Sequence, residues 1–224
     1  MREDIQKIFV KTKVRKQVMM FTATLSDKMK ETALKFMRAP YRVIFIDDQK
    51  RLTLHGLRQF YAEVTEKQKF RFLYALLSKV DYNQCIIFTS KVDRAKYLNK
   101  MLRDAQISSL TIHADMSQKA RMECFKKFKE GSEKIIVTTN LFARGIDIER
   151  INLVINYDMA ENSDTYLHRV GRAGRYNTKG NAVTFVTLDQ DKETLEDIQK
   201  RFEIKIELLP QKFDESTFGD LNSS

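Results

Sequence analysis

The stretch HRVGRAGR, residues 168–175, concentrates side chains that are well suited to bind an anion. Three arginines recur at every third position, after a histidine and around two glycines: His168, Arg169, Gly171, Arg172, Gly174 and Arg175. Residues three apart share a helix face, so neighbouring arginines would repel one another without an anion between them. Arginine forks match phosphate oxygens, and glycine allows close approach of another surface or ligand. The pattern predicts a phosphate clamp; a solvated basic turn with a glycine helix cap is the alternative.

A second polar group follows the apolar segment 133–139, in the sequence TTNLFARGIDI. Ligands of open α/β sheets bind beyond the carboxyl ends of the strands, where this loop is expected. Thr139 offers a hydroxyl to a phosphate, Asp147 can accept hydrogen bonds from ribose hydroxyls, and Gly145 lets the backbone turn close to a ligand. Alternatively, Thr139 only caps a helical turn and Asp147 only pairs with Arg144.

A third group, MSQKAR, begins a predicted helix with Ser117 as its N-cap. Gln118 and Arg121 share a face near the helix N-terminus, where the helix dipole attracts anions. A solvent-exposed helix start is the alternative. His113, at the end of the preceding apolar segment, is predicted to be a packed residue rather than a catalytic base.

The composition indicates a soluble protein with an anionic partner, nucleic acid above all. The 224 residues are 42% hydrophobic and include 40 Lys+Arg against 30 Asp+Glu, a formal net charge of +10. Cys85 and Cys124 have no second ligand at metal spacing, so they are expected to be free thiols in a reducing compartment. There is neither an 18-residue apolar run nor a signal-peptide stretch, so we expect a cytosolic or nuclear protein without a membrane partner.

Apolar, β-rich segments alternate with helical patterns from residue 57 onward, which predicts a doubly wound parallel sheet with helices on both faces. Continuous Ile/Val runs are typical of strands covered on both faces. A short helix capped by Asn162 or Ser163 is predicted to lead into residues 168–175. The other predicted helices are 66–80, 91–105, 117–131 and 191–203, and the predicted strands are 57–64, 84–90, 109–114, 133–139, 151–158, 180–188 and 205–210.

Residues 1–48 are predicted to form a separate piece that resembles the end of a domain. Residues 16–25 and 41–47 have strand patterns, and between them a helix is predicted at 26–38, capped by Ser26 and ended by Pro40. The predicted organisation is a domain remnant at 1–48, a linker at 49–57, a domain at 58–210 and a flexible tail at 211–224.

Taken together, several segments resemble the second half of a DEAD-box RNA helicase. In order and spacing, FTATL, CIIFTS, SQKAR, TTNLFARGIDI and YLHRVGRAGR are similar to motif III, motif IV, the QxxR element, motif V and motif VI, and INLVINYD also fits. The resemblance covers residues 1 to about 210. It implies a RecA-like helicase C-terminal domain, preceded by the end of a first RecA-like domain.

Further segments resemble the DECD-type branch that works in spliceosome assembly and mRNA export: LTLHGLRQFY, TNLFARGIDIERIN and SDTYLHRV. Asn140 fits that branch, where many other relatives carry aspartate. The branch implies a nuclear protein, or a nuclear and cytoplasmic one, with splicing or export factors among its partners. A monomer is expected.

The resemblance implies roles at matching positions. Arg172 and Arg175 resemble arginine fingers that reach the γ-phosphate of ATP, which a first RecA-like domain holds with Mg²⁺. Asp147 and Gly145 resemble nucleotide contacts of motif V. Four positions resemble the residues with which the family contacts single-stranded RNA or a short RNA duplex: Thr139, Arg144, Arg121 and Gln118. Five positions resemble the residues that couple the two RecA-like domains of the family: Thr22, Ala23, Thr24, His168 and Arg169.

The sequence departs from the family pattern in several places. Thr22 stands where motif III usually has serine, Ala114 where many relatives have glycine, and Gly171 where the export branch usually has alanine. The Q motif, the GxxxxGK[ST] phosphate loop and the DEAD or DECD tetrad do not occur. We therefore expect the chain to be a piece of a longer helicase and not to hydrolyse ATP alone. The alternatives are a non-catalytic RecA-like module that binds RNA or protein, and half of a DNA helicase.

Overall fold

A computed structural model describes residues 2–22, 27–44, 56–140, 148–174, 178–210 and 212–218. The chain divides into two compact units, Met1–Ile46 and Asp47–Ser224. Across these described ranges, no helix is both long enough and apolar enough to cross a membrane.

In its described part the first unit contains two helices, α1 (Arg2–Lys11) and α2 (Asp27–Leu34), and no strand. The strand predictions are wrong for residues 16–22 and 41–44. A strand is stable only when a neighbouring strand pairs with its backbone N–H and C=O groups, and these segments have no such neighbour among the described residues. Helix α1 was not predicted, and α2 ends earlier than expected.

The second unit is built on one sheet of seven parallel strands, as predicted. The strands are β1 (Leu57–Glu63), β2 (Gln84–Phe88), β3 (Leu110–Ile112), β4 (Ile135–Thr138), β5 (Ile151–Asn156), β6 (Gly180–Val186) and β7 (Glu207–Leu208). Their order across the sheet is β3-β4-β2-β5-β6-β1-β7. Every residue of β2, β4, β5 and β6 is buried, which confirms that both faces are covered.

Helices cover the two faces of this sheet: α3 (Lys69–Lys79), α4 (Val92–Asp104), α5 (Gln118–Glu130), α6 (Ser163–Val170) and α7 (Asp189–Phe202). Successive residues of a strand point to opposite faces, so Ile87 joins the hydrophobic cluster under α3 and α4, whereas Ile86 joins the cluster under α5, α6 and α7. Two predicted N-caps are confirmed, because Ser117 accepts a hydrogen bond from the backbone of Ala120 and Asn162 accepts one from Thr165.

Residues 212–218 of the tail pack against the rest of the second unit. They include a short helix, α8 (Glu215–Phe218), and the side chains of Phe213 and Phe218 are buried. Flexibility of the tail from residue 211 stays a prediction, although these residues have packing contacts that were not foreseen. Two aromatic side chains provide enough apolar surface to hold a polar segment on the core.

Candidate functional site

Arg169, in the last turn of α6, lies at the centre of the candidate site. Its guanidinium donates from Nε to Asn140 Oδ1 at 2.8 Å, and from Nη1 to Asn156 Oδ1 at 3.2 Å and to the backbone oxygen of Asp158 at 2.7 Å. It also lies over the ring of Phe88, 5.2 Å from the centroid. These contacts join α6 to the segments that follow β4 and β5.

The burial of Arg169 bears on its predicted role. The residue is 0% exposed, and burial lowers its pKa to about 10, against the opposing effect of the carboxylates of Asp158 and Glu161. The guanidinium therefore remains protonated at neutral pH. The described contacts of its guanidinium are with residues of the second unit, and coupling of Arg169 to another domain stays a prediction.

Arg172 follows α6 and is half-buried. Its Nε donates to the backbone oxygen of His168 at 3.1 Å, and His168 is itself partly exposed in the last turn of the helix. Because α6 carries the chain from the carboxyl end of β5 towards the amino end of β6, Arg172 lies at the end of the helix opposite its Asn162 cap. Arg175 lies outside the described residues.

The glycines of this stretch make a close approach, but to residues of the same unit. Gly174 has a φ of +69°, and a Cβ there would lie 3.4 Å from the Cβ of Leu57. A Cβ on Gly180 would lie 2.6 Å from the backbone nitrogen of Gly174. The close approach predicted at Gly174 is therefore explained by packing against the first residues of β1 and β6.

At the end of β4, Thr139 and Asn140 are half-buried. The side chain of Asn140 accepts from Arg169 and donates to Glu161 at 3.4 Å, so the residue is a structural link. The other predicted contacts of this loop, Arg144, Gly145 and Asp147, lie outside the described residues, as do Ala23 and Thr24 of the first unit.

The side chain of Arg121, in α5, binds the turn between β3 and α5. Its Nη2 donates to the backbone oxygens of Ala114 at 3.2 Å and Met116 at 3.3 Å. Gln118 is exposed in the first turn of the same helix. His113 is packed, as predicted, with 9% of its surface exposed, and its pKa is lowered by burial and by the positive charge of Lys96.

An ion-pair cluster around Asp158, just beyond β5, was not predicted from the sequence. The carboxylate accepts from Lys69 Nζ at 2.9 Å, from the Ser90 backbone nitrogen at 2.9 Å and from Arg94 Nε at 2.7 Å. Arg94 also pairs with Glu66. An aspartate two residues beyond a buried strand was the available signal, but its partners lie far away in the sequence.

The cluster determines the charge state of Asp158. Burial by itself would raise the pKa of this carboxyl, but the hydrogen bond from Arg94 and the charge of Lys69 outweigh it and lower the pKa to about 2. Asp158 is therefore ionised at neutral pH. Its carboxylate holds α3 and α4, and its backbone oxygen holds Arg169 of α6, so one residue links helices from both faces of the sheet.

Over the described part of the chain, no three His, Cys, Asp or Glu side chains are grouped so that they could hold a metal ion. Within that part, the polar residues at the carboxyl edge of the sheet and the arginine after α6 are instead suited to bind anions.

Three comparisons relate this chain to known proteins. The family described as "Helicase conserved C-terminal domain" matches residues 68–177. DEAD-box ATP-dependent RNA helicase 15 of Arabidopsis thaliana is 51% identical over 218 residues, which are 97% of this chain and 51% of the relative. ATP-dependent RNA helicase SUB2 of Ajellomyces capsulatus is 50% identical over 211 residues, 94% of this chain and 48% of the relative. The chain thus spans about half the length of these curated relatives.

Among solved structures, S. cerevisiae Dbp5 bound to RNA and ADP BeF3 superposes with a TM-score of 0.81 at 28% identity. The match covers 93% of this chain and 55% of that one. The agreement includes the parallel sheet with helices on both faces, so the predicted RecA-like architecture is confirmed.

Proposed function

Because this chain belongs to the DEAD-box family of RNA helicases, we propose that it acts as the C-terminal half of an ATP-dependent RNA helicase. The observation that carries the proposal is the attachment of α6 to the sheet by buried Arg169. Buried Arg169 fixes this helix to the ends of β4 and β5, and Arg172 follows within one turn. A side chain on so rigid a support can meet a ligand without a large loss of conformational entropy.

On the nucleotide side, we assign Arg172 and Arg175 as arginine fingers for the triphosphate of ATP, with Asp147 and Gly145 as nucleotide contacts. A first RecA-like domain would hold most of the ATP and Mg²⁺. A guanidinium placed at the transferred phosphoryl group stabilises the charge of the transition state, and such a contact accelerates hydrolysis by about 10³–10⁵. The half-buried, hydrogen-bonded position of Arg172 limits its rotamers in advance.

On the RNA side, we assign Thr139, Arg144, Arg121 and Gln118 as contacts to the RNA backbone. Two backbone carbonyls already hold one nitrogen of the Arg121 guanidinium, so this charge is fixed at the carboxyl edge of the sheet. Contacts to phosphates depend little on sequence, so the protein would bind single-stranded RNA or a short duplex of any sequence.

Hydrolysis is proposed to accompany closure and reopening of two RecA-like domains. The proposed coupling residues are Thr22, Ala23, Thr24, His168 and Arg169, and residues 1–48 would belong to the first domain. We further propose a role in splicing or mRNA export, a nuclear or nuclear and cytoplasmic location, and a monomer whose partners include splicing or export factors. Three segments that resemble the splicing and export branch support this assignment: residues 52–61, 139–152 and 163–170.

A chimera tests the proposal. Residues 1–224 would replace the matching half of the 51% identical Arabidopsis relative, and ATP hydrolysis would be measured without nucleic acid, with single-stranded RNA and with single-stranded DNA. We expect hydrolysis that RNA stimulates and DNA does not, and no hydrolysis by the 224-residue chain alone. A chimera that binds RNA but never hydrolyses ATP would favour the non-catalytic module, and stimulation by DNA would favour a DNA helicase.

A further inference from the structure

Residues 212–218, here called the C-terminal strap, pack on the α3 face of the sheet. The Phe218 ring meets Phe60 of β1 edge-to-face at 5.3 Å, and the Phe213 ring lies 5.6 Å from that of Phe72 in α3. Phe213 is 6% exposed and Phe218 is 2% exposed. The strap therefore completes the hydrophobic cluster of that face.

Asp214 gives the strap its local shape. Its Oδ1 accepts from Ser216 Oγ at 2.6 Å and from the backbone nitrogen of Thr217 at 3.3 Å, while its own backbone nitrogen donates to Thr217 Oγ1 at 3.2 Å. This turn brings the rings of Phe213 and Phe218 within 6.1 Å of each other. The two rings therefore pack on the core next to each other.

A buried polar residue lies under the strap. Asn181, the second residue of β6, is 0% exposed, and its Nδ2 donates to the backbone oxygen of Phe218 at 3.3 Å. Its Oδ1 is buried and, among the residues that the structure describes, has no hydrogen-bond partner. Covering such an atom costs free energy, because water would satisfy it when the strap is away. The docked strap is thus held by apolar contacts and by the hydrogen bond from Asn181, while the buried Oδ1 of Asn181 opposes docking.

The first residues of β6, which lie beneath the strap, also contact the loop that follows α6. Gly180 directly precedes Asn181, and its backbone nitrogen donates to Gly56 at 2.9 Å. Gly180 packs so closely on Gly174 that a Cβ would lie 2.6 Å from the Gly174 nitrogen. Gly174 is two residues after Arg172. Contacts therefore run without a break from the strap to the loop that contains the arginines.

We propose that the C-terminal strap is a positioning element for the loop that carries Arg172 and Arg175. When docked, it holds the first residues of β6 in place, and these residues fix Gly174. When detached, it frees Asn181 to water and loosens the loop, so docking of the strap would set how well Arg172 is placed. This inference rests on the role proposed above for Arg172 and Arg175.

Hydrogen–deuterium exchange on the 224-residue chain tests the strap directly. The comparison includes Phe218→Ala, Phe218→Leu, a chain that ends after Gln211, and a matched control, Leu102→Val, which trims the same hydrophobic cluster away from the strap. We expect the shortened chain and Phe218→Ala to exchange the amides of residues 172–174 and 180–182 about tenfold faster, because the docked state that protects them is lost.

The controls separate positioning from general destabilisation. Phe218→Leu keeps an apolar anchor and should retain slow exchange at residues 172–174, and Leu102→Val should accelerate exchange in α4 alone. Parental exchange at residues 172–174 in the shortened chain would overturn the proposal. That failure is distinguishable from failure of the proposed function, since exchange requires no ATP hydrolysis, whereas an Arg172→Ala chimera with undiminished hydrolysis would overturn the role of the arginine.

Discussion

Replacing Asp158 with asparagine removes one negative charge from a buried cluster without changing the size of the side chain. Asp158 is bound by Lys69, whose side chain is 5% exposed, and by Arg94. In the variant, Glu66, at 3.2 Å, would be the one acidic partner left to Lys69 among the described residues. The variant therefore leaves a buried ammonium incompletely paired, a situation that destabilises folded proteins strongly.

The structure sets the size of the effect. The pKa of Asp158 is lowered from 3.8 to about 2. At about 1.4 kcal/mol per pKa unit, its ionised form stabilises the fold by about 2 kcal/mol at neutral pH. Breaking a buried ion pair by removing one partner costs about 3–5 kcal/mol in other proteins. We therefore expect Asp158→Asn to lower the free energy of unfolding by about 2–4 kcal/mol at pH 7.

The assay is urea unfolding followed by far-UV circular dichroism at several pH values. Because the folded-state pKa is below the unfolded one, the contribution of Asp158 is complete above about pH 4 and is lost as the pH falls through about 2. The difference between the parent and Asp158→Asn should thus be constant from pH 7 to pH 5 and shrink below pH 4. Asp115→Asn is the control, since Asp115 pairs with Lys96 on the surface at 3.0 Å and should have little effect. Equal stability of parent and Asp158→Asn at pH 7 would refute the reasoning.

Three further predictions concern other contacts of the second unit. Arg169→Met should lower stability by about 3–5 kcal/mol in thermal unfolding, because three acceptors, two of them buried, lose their donor, and a melting temperature within 2 °C of the parent would contradict this. Gly180→Ala should cost about 1–3 kcal/mol in the same assay, because its Cβ would overlap Gly174, and unchanged stability would show that the backbone yields freely. Iodoacetamide should modify Cys124 well before Cys85, which is 0% exposed and whose pKa is raised by burial; mass spectrometry showing Cys85 modified first would reject this order.

Local patterns were sufficient to predict most of the second unit. The apolar runs around Ile86, Ile136 and Val154 correspond to fully buried strands because such runs are stable only between two layers of helices. The Ser117 cap and the left-handed Gly131 at the two ends of α5 follow from side-chain chemistry within a few residues. In these places, the residues that determine the local structure are neighbours in the sequence.

Long-range contacts could not be predicted in this way. Lys69 and Asp158 are 89 residues apart in sequence, and Arg169 and Asn140 are 29 apart, so no periodicity connects them. The packing of the tail could not be predicted for a similar reason, because Phe213 and Phe218 become anchors only once Phe60 and Phe72 form their surface. In the first unit, strand-like segments had no partner to pair with among the described residues.

The most direct measurement of the central claim is RNA-stimulated ATP hydrolysis by the chimera with Arg172→Ala or Arg175→Ala. Arg103→Ala is the matched control, because Arg103 is an exposed arginine of α4. The account predicts that each finger variant loses at least about 10³-fold in kcat while binding ATP normally, and that the control is unaffected. Hydrolysis at the parental rate in either finger variant would contradict it.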